Sequence, residues 1–273
     1  MIQLLNGMFL FIMKNLFPFF KKNNLVYFDS AATSLKPQPV IDRITEYYSY
    51  ESVNAHRSGY PLALKISNEI ESTRESLKRY LNLSEEFEVI FTKNCTEAIN
   101  ILALLFKPDH VLMSKEDHHS NYLPFIKNSL KKSFIPLSQG LLDIEAITDL
   151  DYTFCTSTWI SNTLGKINDI QKLGLYCKKN NIPFLVDASQ VFSHRKVDLS
   201  LYHFDFLTFS AHKLYGPTGL GILIARKSLL KEPLFLGGGT IKSMNETFIL
   251  EDLPYSFEAG TLPIASILGF KKS

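Results

Sequence analysis

Phe209-Ser210-Ala211-His212-Lys213-Leu214-Tyr215-Gly216-Pro217-Thr218-Gly219 sets one lysine among small and hydroxylated residues. An apolar run (Phe204, Phe206, Leu207, Phe209) leads in and a Gly-Pro-Thr-Gly turn leads out, so the pattern predicts a lysine held by rigid backbone near a sheet edge. Such a lysine is a candidate Schiff-base nucleophile. An amine attacks an aldehyde in its neutral form, which desolvation and neighbouring positive charge favour, and the apolar approach and His212 supply residues of both kinds. Ser210 and the backbone around it suit an anion such as a phosphate. Read alone, the same residues also fit a surface lysine before a turn.

Working outward, apolar strand-like runs alternate with helical periodicity. Pro183–Val186 is continuously apolar and ends at Asp187-Ala188-Ser189-Gln190, an acid at the carboxyl end of a parallel strand, where ligands of open α/β sheets collect. A strand over Phe87–Phe91 delivers Thr92-Lys93-Asn94-Cys95-Thr96 to a helix over Ile99–Leu105; that turn is an anion site built from free backbone N–H groups, or a cap by Thr96 alone. Further strands are expected at Leu25–Phe28, Val111–Ser114, Tyr152–Thr156 and Ile222–Ala225, and helices at Val40–Tyr50, Leu62–Leu81, Ile144–Leu150 and Ile170–Asn180. Ser161–Gly165 reads as a turn whose Asn162 amide suits a cofactor hydroxyl or a carboxylate. Gly237–Thr240 reads as a mobile loop over a site. His118 and His119 lie near acids, but no second ligand cluster accompanies them, so no metal site is expected. Gly219 and Gly221 precede a strand instead of joining a strand to a helix, which excludes the dinucleotide fingerprint. The alternation predicts an α/β domain with a mainly parallel sheet.

The 273 residues, 45% hydrophobic, suffice for one large core or for one large domain plus part of a second. A net charge of +2 with no basic cluster argues against nucleic-acid binding. Cys95, Cys155 and Cys177 are widely spaced and show no C-x-x-C pair, so neither a zinc site nor a disulfide framework is expected, and a reduced cytoplasmic setting fits. The apolar first twenty residues are broken by Gln3, Asn6, Gly7, Lys14, Asn15 and Pro18, which is short for a membrane span. Translation is expected to start at Met13, with residues 1–24 an N-terminal extension.

Ser210-Ala211-His212-Lys213-Leu214-Tyr215-Gly216-Pro217-Thr218-Gly219-Leu220-Gly221 resembles the pyridoxal-phosphate lysine segment of group II cysteine desulfurases, the selenocysteine lyase-like branch of the class V aminotransferase family. The resemblance runs from about Leu25 to Gly260 and includes Asp29–Ala32, Asn54–Gly59, Thr92–Ala98, Glu116–Asn121, Val186–Gln190 and Phe257–Thr261. It implies a fold-type-I pyridoxal-phosphate enzyme, with a mainly parallel seven-stranded sheet between helices and the cofactor covalently held at Lys213. It assigns the phosphate to the Cys95 N–H and the Thr96 hydroxyl. His118 is the residue that stacks on the pyridine ring and moves protons, with His119 its structural partner. Asp187 holds the ring nitrogen and Gln190 the phenolic oxygen, keeping the ring an electron sink. Ser210, His212 and Asn162 complete the cofactor set, and Ala31, His56 and Asn162 shape the substrate pocket. Thr261 reaches the phosphate of a neighbouring subunit, which implies a homodimer.

The resemblance places the large, cofactor-binding domain at residues 25–261 and the start of a small C-terminal domain, largely missing, at 262–273. The nucleophilic cysteine that takes sulfur and the arginine that holds the substrate carboxylate belong to that small domain, and neither has a counterpart here. The expected function is a cysteine desulfurase, converting L-cysteine to L-alanine with transfer of sulfur to an acceptor protein, or a selenocysteine lyase. The alternatives are another class V activity, or an inactive cofactor-binding fragment of an interrupted gene.

Overall fold

The computed structural model describes residues 14–55, 59–149 and 151–273, which divide into two compact units. A sheet unit comprises Arg74–Ser210 with Leu220–Leu262; a helical unit comprises the chain up to Thr73 with Ala211–Gly219 and Pro263–Ser273.

The sheet unit is built on seven strands, β1 (Phe87–Thr92), β2 (His110–Met113), β3 (Lys131–Phe134), β4 (Phe154–Thr158), β5 (Phe184–Asp187), β6 (Phe206–Ser210) and β7 (Gly221–Arg226), in the order β1-β7-β6-β5-β4-β2-β3. The pairs from β6 through β5, β4 and β2 to β3 are parallel, whereas β7 runs antiparallel to both β6 and β1. The expected mainly parallel, seven-stranded α/β sheet is therefore present. β4, β5 and β6 are buried along their whole length, as strands covered on both faces must be. Ala98, Ile99 and Leu102 of the helix Cys95–Phe106 share a core with Val111, Met113, Phe154, Leu185, Phe206 and Leu223. Phe154 stacks on Phe125 at 4.9 Å and lies 5.1 Å from Phe106, ring to ring.

Edge strand β1 is capped along its outer side by side chains. Arg74 Nη1 donates to Val89 O at 2.7 Å, and Glu258 Oε1 accepts from Phe91 N at 2.6 Å. Arg74 and Glu258 also form a buried two-pronged pair, at 2.8 and 2.6 Å, with the guanidinium 4.2 Å from the Phe91 ring centre. The unpaired backbone that an edge strand presents is thereby used internally.

In the helical unit, helix α1 (Gln38–Tyr50) opens on prolines that suit a helix's first turn, and α6 (Ile264–Phe270) packs on it at Gly269, where a Cβ would press into Ile44. Between them in the chain come α2 (Pro61–Leu81), α3 (Cys95–Phe106), α4 (His119–Asn128) and α5 (Ile170–Lys179).

Two expectations are corrected. Leu25–Phe28 forms no strand: its apolar side chains face solvent, Phe28 at 92% exposure. In Ile144–Leu150 the described residues make a turn and no helix; Leu150 itself, like Met13 and His56, lies outside the described residues. Helix α4 and strand β3, for which the sequence pattern gives no expectation, are regular elements. No helix among the described residues is long and apolar enough to cross a membrane.

Candidate functional site

Parallel strands release their chains at one end of the sheet, and the candidate residues of the sheet unit follow from that. β5 ends at Asp187, 4% exposed, whose Oδ1 accepts from Ser189 N at 2.9 Å and lies 3.7 Å from Cys95 Sγ. Its Oδ2 accepts no hydrogen bond from the described residues. Gln190 is buried three residues further on. β6 ends at Ser210, and its Oγ accepts from Cys95 N at 2.9 Å. β4 ends at Thr158, paired with Asp187, and leads into the Ser161–Gly165 turn, where Asn162 is half-buried.

Helix α3 starts at the same end. Asn94 caps it, accepting from Glu97 N at 2.8 Å, while Glu97 accepts in return from Lys93 N at 2.6 Å. This leaves the Thr96 N–H without an acceptor among the described residues, since the Cys95 N–H is already engaged by Ser210. Gly221 makes the turn possible: a Cβ there would overlap the backbone of Asn94 and the Thr92 hydroxyl. Thr96 Oγ1 bonds Ser120 Oγ at 2.8 Å, and Ser120 bonds His118 Nδ1 through both its N–H (3.2 Å) and its hydroxyl (3.0 Å). With Nδ1 an acceptor, a neutral His118 carries its proton on Nε2, and its ring is exposed.

The sequence reading missed Asp117. This buried carboxylate accepts from Thr158 N at 2.7 Å and from Asn121 Nδ2 at 3.0 Å, and Asn121 in turn accepts from Thr156 Oγ1 at 2.6 Å. Burial, with the charge of Asp187 added, pushes its carboxyl well above the usual range. An acid beside two histidines carries no signal of burial in the sequence, because the Thr158 amide that it accepts from lies on β4.

In the helical unit, Lys213 closes a 3-10 turn, Ala211–Lys213; it is half-buried and donates to no described residue. The turn is held from beneath. Ala211 O accepts from Leu214 N and Gly216 N, Gly216 sits against Phe270 of α6, and Tyr215 N donates to Ser34 Oγ at 2.6 Å. The His212 carbonyl accepts from Ser34 N and Ser34 Oγ, both at 2.9 Å, and from Thr33 Oγ1 and Lys36 Nζ, both at 3.2 Å. Burial, then the charges of Lys213 and Lys36, hold the His212 imidazole below its usual range. Ala31 is exposed in the Asp29–Thr33 turn.

Thr261, exposed, follows Gly260, whose left-handed φ of 91° suits glycine and whose N–H bonds Gly238 O at 2.7 Å. At the opposite end of the sheet His110, Asp149 and Asp151 gather, but His110 is bonded to Asp151 and Ser133 and Lys131 reaches Asp151.

Both sets of residues fit pyridoxal phosphate. A ring nitrogen needs a buried carboxylate with an oxygen to spare, a phosphate needs unengaged amides at a helix start, and a Schiff base needs an uncommitted lysine on fixed backbone.

Comparison with known proteins identifies the family. The protein named probable cysteine desulfurase of Borreliella burgdorferi is 36% identical over 93% of this chain and 65% of its own length. The cysteine desulfurase of Wigglesworthia glossinidia brevipalpis is 36% identical over 93% of this chain and 67% of its own. The apo structure of the cysteine desulfurase of Thermococcus onnurineus superposes with a TM-score of 0.87 at 32% identity, over 94% of this chain and 68% of that one. The chain thus spans about two thirds of the length of the relatives it matches. The aminotransferase class-V pattern matches residues 26–273, and the chain belongs to that family.

Proposed function

We propose that this chain supplies the cofactor-holding part of a pyridoxal-phosphate-dependent cysteine desulfurase, with Lys213 as the covalent attachment point. The observation that carries the reading is Asp187: a buried carboxylate at the end of a parallel strand, with one oxygen unmatched among the described residues. When bound, the cofactor supplies an electron sink for the pair left at a substrate Cα. The chain's own residues do the rest. Asp187 holds a proton at the ring nitrogen. The Thr96 N–H and hydroxyl, with Ser210, bind the phosphate, Gln190 the phenolic oxygen, and Asn162 orients the cofactor or a carboxylate. Lys213 Nζ would hold the cofactor and take the Cα proton, and His118 Nε2 would exchange protons with the substrate.

The substrate in this reading is L-cysteine, the products L-alanine and sulfur carried by an acceptor thiol. Cys95, Cys155 and Cys177 are buried, so none of them is suited to carry sulfur to a partner. The reading extends to a homodimer in which Thr261, exposed in this chain, serves the partner's phosphate, and to a reduced, cytoplasmic setting, which three cysteines that form no disulfide suit. The test is a titration of the purified chain with pyridoxal phosphate, followed by alanine release from L-cysteine. A visible absorption band that is lost in Lys213→Ala supports the assignment. A band unchanged by that substitution, or none in either protein, refutes it. Alanine release separates an active chain from one that holds cofactor only.

A further inference from the structure

We propose that Lys36 is a positioning residue for Lys213, acting through the His212 carbonyl; this rests on the reading of Lys213 as the cofactor-bearing lysine. The His212 carbonyl and the Lys213 N–H belong to one peptide, so whatever fixes that oxygen fixes the plane from which the Lys213 side chain departs. A carbonyl oxygen has two lone pairs. This one is met by four donors, and the Lys36 ammonium is the charged one among them.

Lys36 is itself held in place. It is half-buried, and its Nζ also donates to the Ser34 carbonyl and, at 3.3 Å, to Thr33 Oγ1. Its three donors are therefore all spent within the Thr33–Lys36 segment and on His212. Burial lowers the Lys36 ammonium from its ordinary value, and the charges that act on the neighbouring His212 are those of Lys213 and Lys36. Two ends are served at once: the peptide gains a charged donor, and the Lys36 charge adds to burial and Lys213 in lowering His212. The Lys36 contact is no shorter than the one from Thr33, so what Lys36 adds is a charged donor that is itself tied to the Ser34 carbonyl and to Thr33 Oγ1.

The experiment compares the full chain with Lys36→Met, Lys36→Arg and Ser34→Ala, each at a matched interval below its own unfolding midpoint. Two readouts are taken: the His212 ring titration by NMR without cofactor, and the apparent dissociation constant for pyridoxal phosphate from the visible band. Lys36→Met is expected to raise the pH at which His212 titrates and to weaken the cofactor at least five-fold. Lys36→Arg is expected to restore most of both, and Ser34→Ala to weaken the cofactor without moving His212 as far. Native values of both readouts in Lys36→Met overturn the proposal. If Lys36→Met does not fold, Lys36→Gln is measured in its place, and native values of both readouts in that variant overturn the proposal equally. A native chain that forms no band, with His212 still responding to Lys36→Met, sinks the assignment of Lys213 but upholds the clamp on its peptide.

Discussion

Replacing Glu258 by Met would take from Arg74 the carboxylate that meets two of its nitrogens, in a site where both side chains are 2% exposed. Removing one partner of a desolvated pair costs ~3–5 kcal/mol, because the survivor stays buried and uncompensated. Phe91 N would lose its acceptor as well, and a buried amide left unsatisfied costs about 1–3 kcal/mol. The two losses share one carboxylate and are not summed; the larger sets the expectation. In urea at pH 7 the unfolding midpoint should fall with little change in slope. The thermal midpoint should fall by roughly 6–20 °C, taking 2–4 °C per kcal/mol for a domain of this size. Arg74→Met with Glu258→Met should recover much of the loss, since the stranded charge goes too. A single variant that loses less than about 1 kcal/mol, or a double variant as unstable as the sum of the two singles, would falsify the claim that this pair is a desolvated, mutually dependent unit.

Gly221→Ala should destabilise the chain by roughly 1–3 kcal/mol and weaken pyridoxal phosphate, because its Cβ meets the Asn94 backbone, which has no flexible end to move aside; melting curves and a cofactor titration check this. Asn94→Ala should cost ~1 kcal/mol through the lost cap of α3, read from urea unfolding, with a cofactor loss larger than stability alone accounts for. For Asp117, the folded chain holds the carboxyl proton more tightly than the unfolded chain does. Its stabilising contribution is complete below the unfolded value of about 3.9 and is lost as pH rises through the raised folded value. Asp117→Asn does not titrate, so its stability relative to the native chain should improve as pH rises above about 4, until the raised folded value is passed. A pH-independent difference between the two would count against the buried, raised carboxyl.

The sequence disclosed most where burial is continuous. β5 and β6 are unbroken apolar runs that end in Asp187 and Ser210, so the sheet and its candidate residues could be read together. Amphipathic α1 and α2 were equally plain. Helix α4 was hidden because it opens on histidine and serine and carries Pro124 inside it, and β3 because Lys-Lys-Ser-Phe is a mostly exposed edge strand with no apolar period. Leu25–Phe28 misled in the opposite sense, being strand-like in composition yet facing solvent. Lys36, Arg74 and Asp117 were invisible for a common reason. Each is defined by a partner far along the chain, His212, Glu258 and Thr158 respectively, and neither propensity nor spacing reports such a contact.

β1 finds its place in the sheet only beside β7, with Val89 opposite Ile224. At ~5–20 residues per second, the intervening stretch of about 130 residues takes a ribosome roughly 7–26 s to add. Throughout that interval Phe87, Val89, Ile90 and Phe91 have emerged without the strand that will cover their backbone, and Glu258, which seals the outer edge, arrives later still. Long-range closure of this kind is slow and prone to aggregation. Yield in a cell therefore turns on how well the nascent chain is shielded during synthesis, and growth at lower temperature or with added holding chaperone should raise the recovered fraction before any stabilising substitution does.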